Sequence, residues 1–527
     1  MLLAICALLA LPGFLLVLAF QDCRYLSKGF EAPAIVPAED RRLIIVLPAN
    51  APDINLCKAT TSAISLGYPA PVIVNWGKDY QGKGWHGGSH LDKIIGTLDF
   101  LNWASSSDAG DHKLGDNDLV IVLDSYDTWF QLPPSVLLQR YHEANRLAGQ
   151  RLEEQWPGQG NISVQQSIIV SAQKKCFPPP DSGSILHCDA LPESPARADL
   201  YGPETDKDPN LYHNVRPRYL NSGSMIGPVE DMRRYFDRVK HRMRQRQAEG
   251  VHLYSDQGIF AEVFGEQEIM RQRLRDGHVQ DQASEIETFE YHVGLDYTQQ
   301  LFIATVFEEE DGDIITLGNE TEIARRSKAL QISPVRLKGV PNDLANTQNP
   351  LQSMGAGDYS WWDEMPLYAD FFSTAIPVVL HHNAHKDGLK SRRVEWWDRT
   401  WYFPYLRELL AAQLSPGERE PLFRSADKVV YWAPQSNQTG AKPRLFKEHL
   451  TSPAQEGSEA NTMTLPTFNL IIPSLPNAPL QLDASYLESV GLLNEPYSQE
   501  QSHCDLTWQP DPCCQDGEPL LANTQRI

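Results

Sequence analysis

Apolar residues along this chain gather first into short runs with the length and composition of strands. Leu43–Leu47 (Leu-Ile-Ile-Val-Leu), Val72–Val74 and Leu119–Leu123 (Leu-Val-Ile-Val-Leu) are unbroken and rich in Val and Ile. Such runs predict strands buried on both faces of a parallel sheet. Asn55–Leu66 predicts a helix between the first two, so the chain opens as a βαβ unit closed by the strand at Leu119–Leu123. Ser89–Ala104 carries Leu91, Ile94, Ile95, Leu98 and Leu101 on one helical face. Pro133–Ala148 predicts another helix, started by a Pro pair. Ser167–Ser171 predicts a fourth strand. A loop dense in Pro, Asp and Ser covers 178–216, order resumes at Tyr219–Gly227, and Glu230–Ala248 and Asp256–Phe264 predict helices. Residues 303–360 show no clear pattern. Val378–Leu380 predicts a last short strand, and Trp396, Trp397 and Trp401 with Leu406, Leu409 and Leu410 predict a closing amphipathic helix. Beyond 415 the chain is rich in Pro, Ser, Asn and Gln, which predicts a mostly irregular tail over 416–527.

The pattern gives an α/β fold with a nucleotide-binding half-sheet, and its chemistry gathers where the third strand ends. Asp124 and Asp127 follow Leu119–Leu123 directly. In open α/β sheets ligands bind at the carboxyl ends of strands. Two carboxylates there can hold a hard divalent cation that bridges a substrate diphosphate. The plain alternative is a strand followed by a solvated acidic turn.

Charge and the chain start narrow the class. The 527 residues carry a net charge of −22, which argues against nucleic acid or an anionic membrane surface as the main partner. A nucleotide diphosphate then needs a metal or a local cation. Met1–Gln21 has no charged side chain and is long enough to span a bilayer. It reads as a signal anchor, with a cleaved signal peptide as the rival because of the small residues near Val17-Leu-Ala19. Arg24 and Lys28 on its far side run against the positive-inside preference. Either route predicts the secretory pathway (Golgi or endoplasmic reticulum membrane with a lumenal body, or secretion). Sequons at Asn161, Asn319 and Asn437 permit this. Cys176 and Cys188 flank the Pro-rich loop and predict a local disulfide in an oxidising lumen. The organisation expected is an anchor or signal over 1–21, a stem over 22–41, one domain over 42–415 and the tail.

Six segments, in order, carry a resemblance. Gly87-Gly88-Ser-His-Leu-Asp-Lys93, Asp124-Ser-Tyr-Asp127, Tyr219-Leu-Asn-Ser-Gly-Ser-Met-Ile-Gly227, Asp256-Gln-Gly-Ile-Phe260, Gly294-Leu-Asp-Tyr-Thr-Gln-Gln-Leu-Phe302 and Pro377-Val-Val-Leu-His-His-Asn383 resemble motifs of the glycosyltransferase domain of the procollagen-lysine hydroxylases, the multifunctional lysyl hydroxylases. The resemblance implies a GT-A fold with a mixed central sheet, a UDP-hexose donor, a protein or glycan acceptor and transfer with retention of configuration. It implies Mn²⁺ or Mg²⁺ held by Asp124, Asp127 and His381, the last a ligand that a borderline ion accepts. His382 and His385 leave the choice of histidine open, since the family's Gly-Asn-Gly is His382-Asn-Ala384 here. Gly87, Gly88 and Lys93 would face the nucleotide, as would Asp124, Ser125, Tyr126 and the Asn221-Ser222-Gly223 segment, whose plain reading is an Asx-type turn at a strand end. Asp256 and Asn221 are the catalytic candidates, although the family's acidic cluster is reduced here to Tyr254-Ser-Asp256. Trp76 or Trp85 would stack on uracil, against a default as core aromatics. Two alternatives stand beside this. One is an inactive glycosyltransferase-like binding protein. The other is an iron-dependent hydroxylase on His187-Cys-Asp189, which lacks a surrounding β-helix pattern.

Overall fold

The computed structural model describes residues 39–78, 88–155, 164–278, 282–354, 361–386, 388–414, 420–434 and 444–445. Gly87, Trp85, the 1–21 segment, most of the 22–41 stem and most of the 416–527 tail lie outside them. Among the described residues no helix is long and apolar enough to cross a membrane.

The predicted strands form: β1 (Glu39–Pro48), β2 (Val72–Val74), β3 (Leu119–Leu123), β5 (Ile168–Gln173) and β11 (Val379–His381), and the ordered stretch at Tyr219–Gly227 is the ten-residue strand β6 (Tyr219–Pro228). They join β4 (Thr128–Phe130), β7 (Val293–Asp296), β8 (Phe302–Ala304), β12 (Phe423–Arg424), β13 (Val429–Trp432) and β14 (Arg444–Leu445) in one mixed sheet. Its order is β12-β13-β1-β3-β6-β5-β8-β11-β4, with β2 beside β1, β14 beside β2 and β7 beside β5. β3 pairs parallel to β1, β5 parallel to β8 and β8 parallel to β11, while β6 runs antiparallel to both β3 and β5. The carboxyl ends of β3, β5, β8 and β11 therefore share one rim with the start of β6.

The alternation along β1 and β3 buries both faces. Leu43, Ile45, Leu47, Leu119, Ile121 and Leu123 enter one core with α1 (Ile54–Ser65) and α3 (Pro134–Gln155). Ile44, Val46, Val120 and Val122 enter the other with α2 (Ser89–Ser105), α4 (Val229–Ala248) and α5 (Asp256–Arg275). Successive side chains point to opposite faces, so an unbroken apolar run is what a doubly covered strand requires.

Four expectations change. Residues 303–360 are not patternless: they hold β9 (Gly312–Thr316), which pairs antiparallel with β10 (Pro366–Asp370), and the helices α7 (Glu320–Ala329) and α8 (Asn342–Ala345), with α6 (Gln282–Phe289) before them. Elements this short carry little periodicity, and β9 finds its partner far along the chain. The closing helix is broken: Arg392–Glu395 forms α9, Trp397–Arg399 and Phe403–Tyr405 are single 3₁₀ turns, and only Leu406–Leu414 (α10) is a helix of more than a turn. Pro404 sits at the break, where a proline suits a helix start and not an interior. The sheet also passes the expected boundary at 415, since β13 pairs in parallel with the first residues of β1, Glu39–Arg42, and buries Tyr431.

The fourth concerns Asn221–Gly223, which makes the Asx-type bond from Gly223 N–H to Asn221 Oδ1 but does not stand at a strand end. It lies inside β6, where the register with β5 jumps from Val170↔Met225 to Ser171↔Asn221. Ser222, Gly223 and Ser224 are the extra residues of a β-bulge, a device that bends a strand and re-aims its side chains.

Candidate functional site

Topology brings distant residues to that rim. Asp124 is the first residue beyond β3, His381 the last of β11, and the bulge of β6 lies between them. Asp124 donates its backbone N–H to the Gly223 carbonyl at 2.8 Å. His382 N–H donates to the Asp127 carbonyl at 2.7 Å, and Thr128 Oγ1 donates to the Asp124 carbonyl at 2.6 Å. The backbone of the Asp-Ser-Tyr-Asp turn is thus held from both sides.

His381 Nε2 stands 3.3 Å from Asp127 Oδ1 and 3.6 Å from Asp124 Oδ2. One donor atom from each of the three lies within 4.8 Å of the other two. Asp127 and His381 are buried and Asp124 half-buried. Burial alone would raise the Asp127 carboxyl, yet the His381 ring and the Lys390 ammonium hold it well below the usual carboxylate range. Two carboxylates and an imidazole form a donor set that suits Mn²⁺. A second observation supports the fit. A Cβ on Gly223 would meet His381 Cε1 at 2.1 Å, His381 Nδ1 at 2.3 Å and Asp124 Oδ2 at 3.0 Å. Only glycine at the bulge leaves room for the His381 ring and the Asp124 carboxylate together.

Lys93, on α2, is buried behind the metal candidates. Its Nζ donates to Asp124 Oδ1 at 2.7 Å and to the Ser222 carbonyl at 2.8 Å, and it pairs with Asp256 Oδ2 at 3.0 Å. Burial would lower its pKa, but Asp124 and Asp256 raise it above the ordinary lysine value. Asp256 opens α5 and also accepts from Ser222 Oγ at 2.8 Å. Burial pushes its pKa up and Lys93 overrides that, keeping it ionised. Asn221 donates to Gln173 Oε1 at 2.8 Å and accepts from Gly223 N–H at 3.0 Å, bracing the bulge.

The remaining candidates are placed as follows. Gly88 caps α2 with φ of 122°. Ser125 donates its hydroxyl to the Pro48 carbonyl at 2.5 Å. The Tyr126 hydroxyl bonds Asn50 and Ala51 beyond β1. Trp76 packs half-buried against the first core, on the loop after β2. His382 is a buried wedge with its ring centroid 4.1 Å from that of Trp129, and burial lowers its pKa to about 3. His385 faces elsewhere and pairs with Glu309 through Nδ1 at 2.7 Å. Of the three adjacent histidines, His381 alone joins the two aspartates. Cys188, inside the His187-Cys-Asp189 triplet, is disulfide-bonded to Cys176, as the flanking positions predict.

Sequence reasoning missed Lys390, whose Nζ lies 2.8 Å from Asp127 Oδ2 with half of its side chain exposed. It also missed Gln173. Neither stands in a motif, and only the fold brings them here. It missed a second acidic grouping as well, Glu308, Asp311 and Asp370, all buried. There Lys174 already supplies the cation, with Nζ 2.6 Å from Asp311 and 3.2 Å from Glu308.

No family model and no curated protein matches this chain. Among solved structures it is similar to the galactosyltransferase LgtC in complex with donor and acceptor sugar analogues, at 13% identity over 72% of this chain and 98% of that one, with a TM-score of 0.26.

Proposed function

We propose that this chain is a metal-dependent GT-A glycosyltransferase that moves a hexose from a UDP-sugar to a protein or glycan acceptor, with retention, within the secretory pathway. The observation that carries the reading is the convergence of Asp124, Asp127 and His381, two of which, His381 and Asp124, pack where only Gly223 leaves room. The six motif resemblances along the chain support it. The Cys176–Cys188 disulfide supports an oxidising compartment.

Mn²⁺ held by these three residues would act as a Lewis acid on the leaving diphosphate. Around it, the buried Lys93 balances Asp124 and Asp256 and holds the half-buried Asp124 carboxylate in place. Asp256 and Asn221, whose polar atoms are held by Lys93, Ser222, Gln173 and Gly223, act as positioning residues. Lys390 stands on the solvent side of Asp127, where its ammonium can turn to a phosphate oxygen. Gly88 and the amides opening α2, about a turn before Lys93, are the segment that would face the nucleotide.

The departures at Tyr254-Ser-Asp256 and His382 favour a second reading, a binding protein that keeps the site and has lost turnover. Hydrolysis of UDP-glucose and UDP-galactose with and without Mn²⁺ separates the two. A transferase hydrolyses at least one of them slowly and only with the metal, and Asp127→Ala lowers the rate by about 10²–10³-fold. Metal-dependent UDP binding without turnover favours the binding protein, and neither binding nor turnover sinks both.

A further inference from the structure

At the far end of the sheet's strands from the metal rim lies a cavity that the transferase reading does not use. β8 and β11 run parallel, and residues just before them, Leu301 and Ile376, line it. It therefore opens at the amino ends of two strands whose carboxyl ends carry Ala304 and His381. One turn-spaced face of α3 forms one wall and the 336–343 segment another. Its volume is about 580 Å³, within the range of small-molecule sites. Ile376 stands five residues before His381, roughly 17 Å along an extended chain, so no single small group reaches both ends.

Three cations line this cavity, Arg140, Arg336 and Lys338, in a chain of net charge −22. Arg140 is only 7% exposed. Its Nε donates to Asp343 Oδ2 at 2.6 Å, and its Nη1 to the carbonyls of Gln300 and Ile376 at 2.7 and 2.6 Å. Its Nη2 is buried and meets no acceptor among the described residues. A buried charged donor left in that state destabilises the fold. Arg336, half-buried, donates from Nη1 to the Leu200 and Phe372 carbonyls at 2.7 and 3.2 Å. Lys338 is exposed. Among the described residues neither Arg336 nor Lys338 pairs with a carboxylate. The acidic groups of the same cavity are all engaged. Glu143 pairs with Arg146 at 2.6 Å and Asp343 with Arg140. Asp296 accepts from the N–H groups of Gln300, Leu301 and Phe302 and from the Thr298 hydroxyl.

We propose that this cavity binds a phosphate monoester with a small apolar body, its phosphate held between Arg140, Arg336 and Lys338. Two cations without a carboxylate match the charge of a phosphate monoester near neutral pH, which approaches −2. A carboxylate would balance one of them only. Guanidinium groups present planar sets of donors that suit phosphate oxygens. The rest of the ligand has apolar wall to lie on, from Ala144 and Leu147 of α3 and from Leu337. Leu147 is 41% exposed, so that wall reaches the surface. Side chains alone supply the charge here, so binding needs no divalent ion, in contrast to a diphosphate at the rim.

Isothermal titration of the full chain with phenyl phosphate in EDTA tests this, since a rim that depends on a metal holds no phosphate under that condition. Saturable binding is expected, tighter than for benzoate, which lacks the second charge, and tighter than for inorganic phosphate, which lacks the apolar part. Affinity should fall about tenfold in Lys338→Gln and by a similar factor in Leu147→Asp, which sets a like charge on the α3 wall. Both changes are at exposed positions, and both variants should keep the melting temperature of the unsubstituted protein and its Mn²⁺-dependent UDP binding. Failure of phenyl phosphate to bind in EDTA overturns the proposal, as does binding indifferent to both substitutions. Benzoate or inorganic phosphate binding as tightly as phenyl phosphate overturns the assigned ligand class. Intact phenyl phosphate binding in a protein that never binds UDP with Mn²⁺ supports this site and counts against the transferase reading alone.

Discussion

At the residue scale the site depends on an absence, the missing side chain of Gly223. Gly223→Ala places a methyl group inside the radius of His381 and against Asp124. Since the two groups are needed together, Mn²⁺ affinity should fall on the order of ten- to a hundredfold while circular dichroism stays native. Retained affinity would mean that the ion is held elsewhere. A second residue-scale expectation concerns pH. Burial raises the Glu308 carboxyl to about 8, and burial with Asp311 nearby raises Asp370 to about 6. Both keep protons in the folded chain at pH values where the unfolded chain has released them. Their contribution to stability therefore declines as pH rises from the ordinary carboxylate range through about 8. Glu308→Gln, which cannot ionise, should flatten the fall in melting temperature between about pH 5 and pH 8. An unaltered slope would show that Glu308 is not the titrating group.

At the scale of elements, the reversed strand β6 positions the chemistry. Its antiparallel run between β3 and β5 brings its first residues to the rim where parallel strands end, and its bulge sets Gly223 against His381 and Asp124 and Ser222 against Lys93 and Asp256. The rim position of Asp124 was legible in the chain, because apolar runs ending in polar residues mark strand ends, whereas His381, Lys93 and Asp256 were candidates only through the motif resemblance. The bulge was not legible. A register jump depends on the partner strand, and Asn-Ser-Gly also spells a turn. The far end of the sheet was misread for a similar reason. β13 is four residues long in a segment of polar composition, and only pairing with β1 makes it a strand. Cutting the chain after Leu414 should thus expose β1 and uncover the core around Tyr431. A chain ending at Leu445 should melt cooperatively, and one ending at Leu414 should melt at lower temperature or aggregate. Equal melting would show that β13 adds nothing.

At the scale of the whole molecule, a chain with a net charge of −22 gathers carboxylates wherever it closes. It has two ways of keeping them together. Around Asp311 it uses the buried ammonium of Lys174, which has no route to exchange. Around Asp127 the cation is Lys390, half-exposed, to which the proposed reading adds a metal ion. Mn²⁺ should therefore stabilise the fold, by about 2.7 kcal/mol at a hundredfold excess over its dissociation constant. Differential scanning calorimetry should register that gain in the unsubstituted protein and not in Asp127→Ala. A gain of the same size in both would place the ion away from the rim.

What the sequence determined by itself was local. Short unbroken Val- and Ile-rich runs suit strands covered on both faces, and an aspartate directly after such a strand lies at its carboxyl end. The disulfide across the Pro-rich loop and the helices with one apolar face follow from spacing in the same way. Tertiary structure alone decided which rim residues meet. It chose His381 over His382 and His385, set Gly223 against it and delivered Lys390 to Asp127. Those choices rest on strand order, direction and register, which depend on free energies of contacts between segments hundreds of residues apart and leave no periodic trace in any one of them.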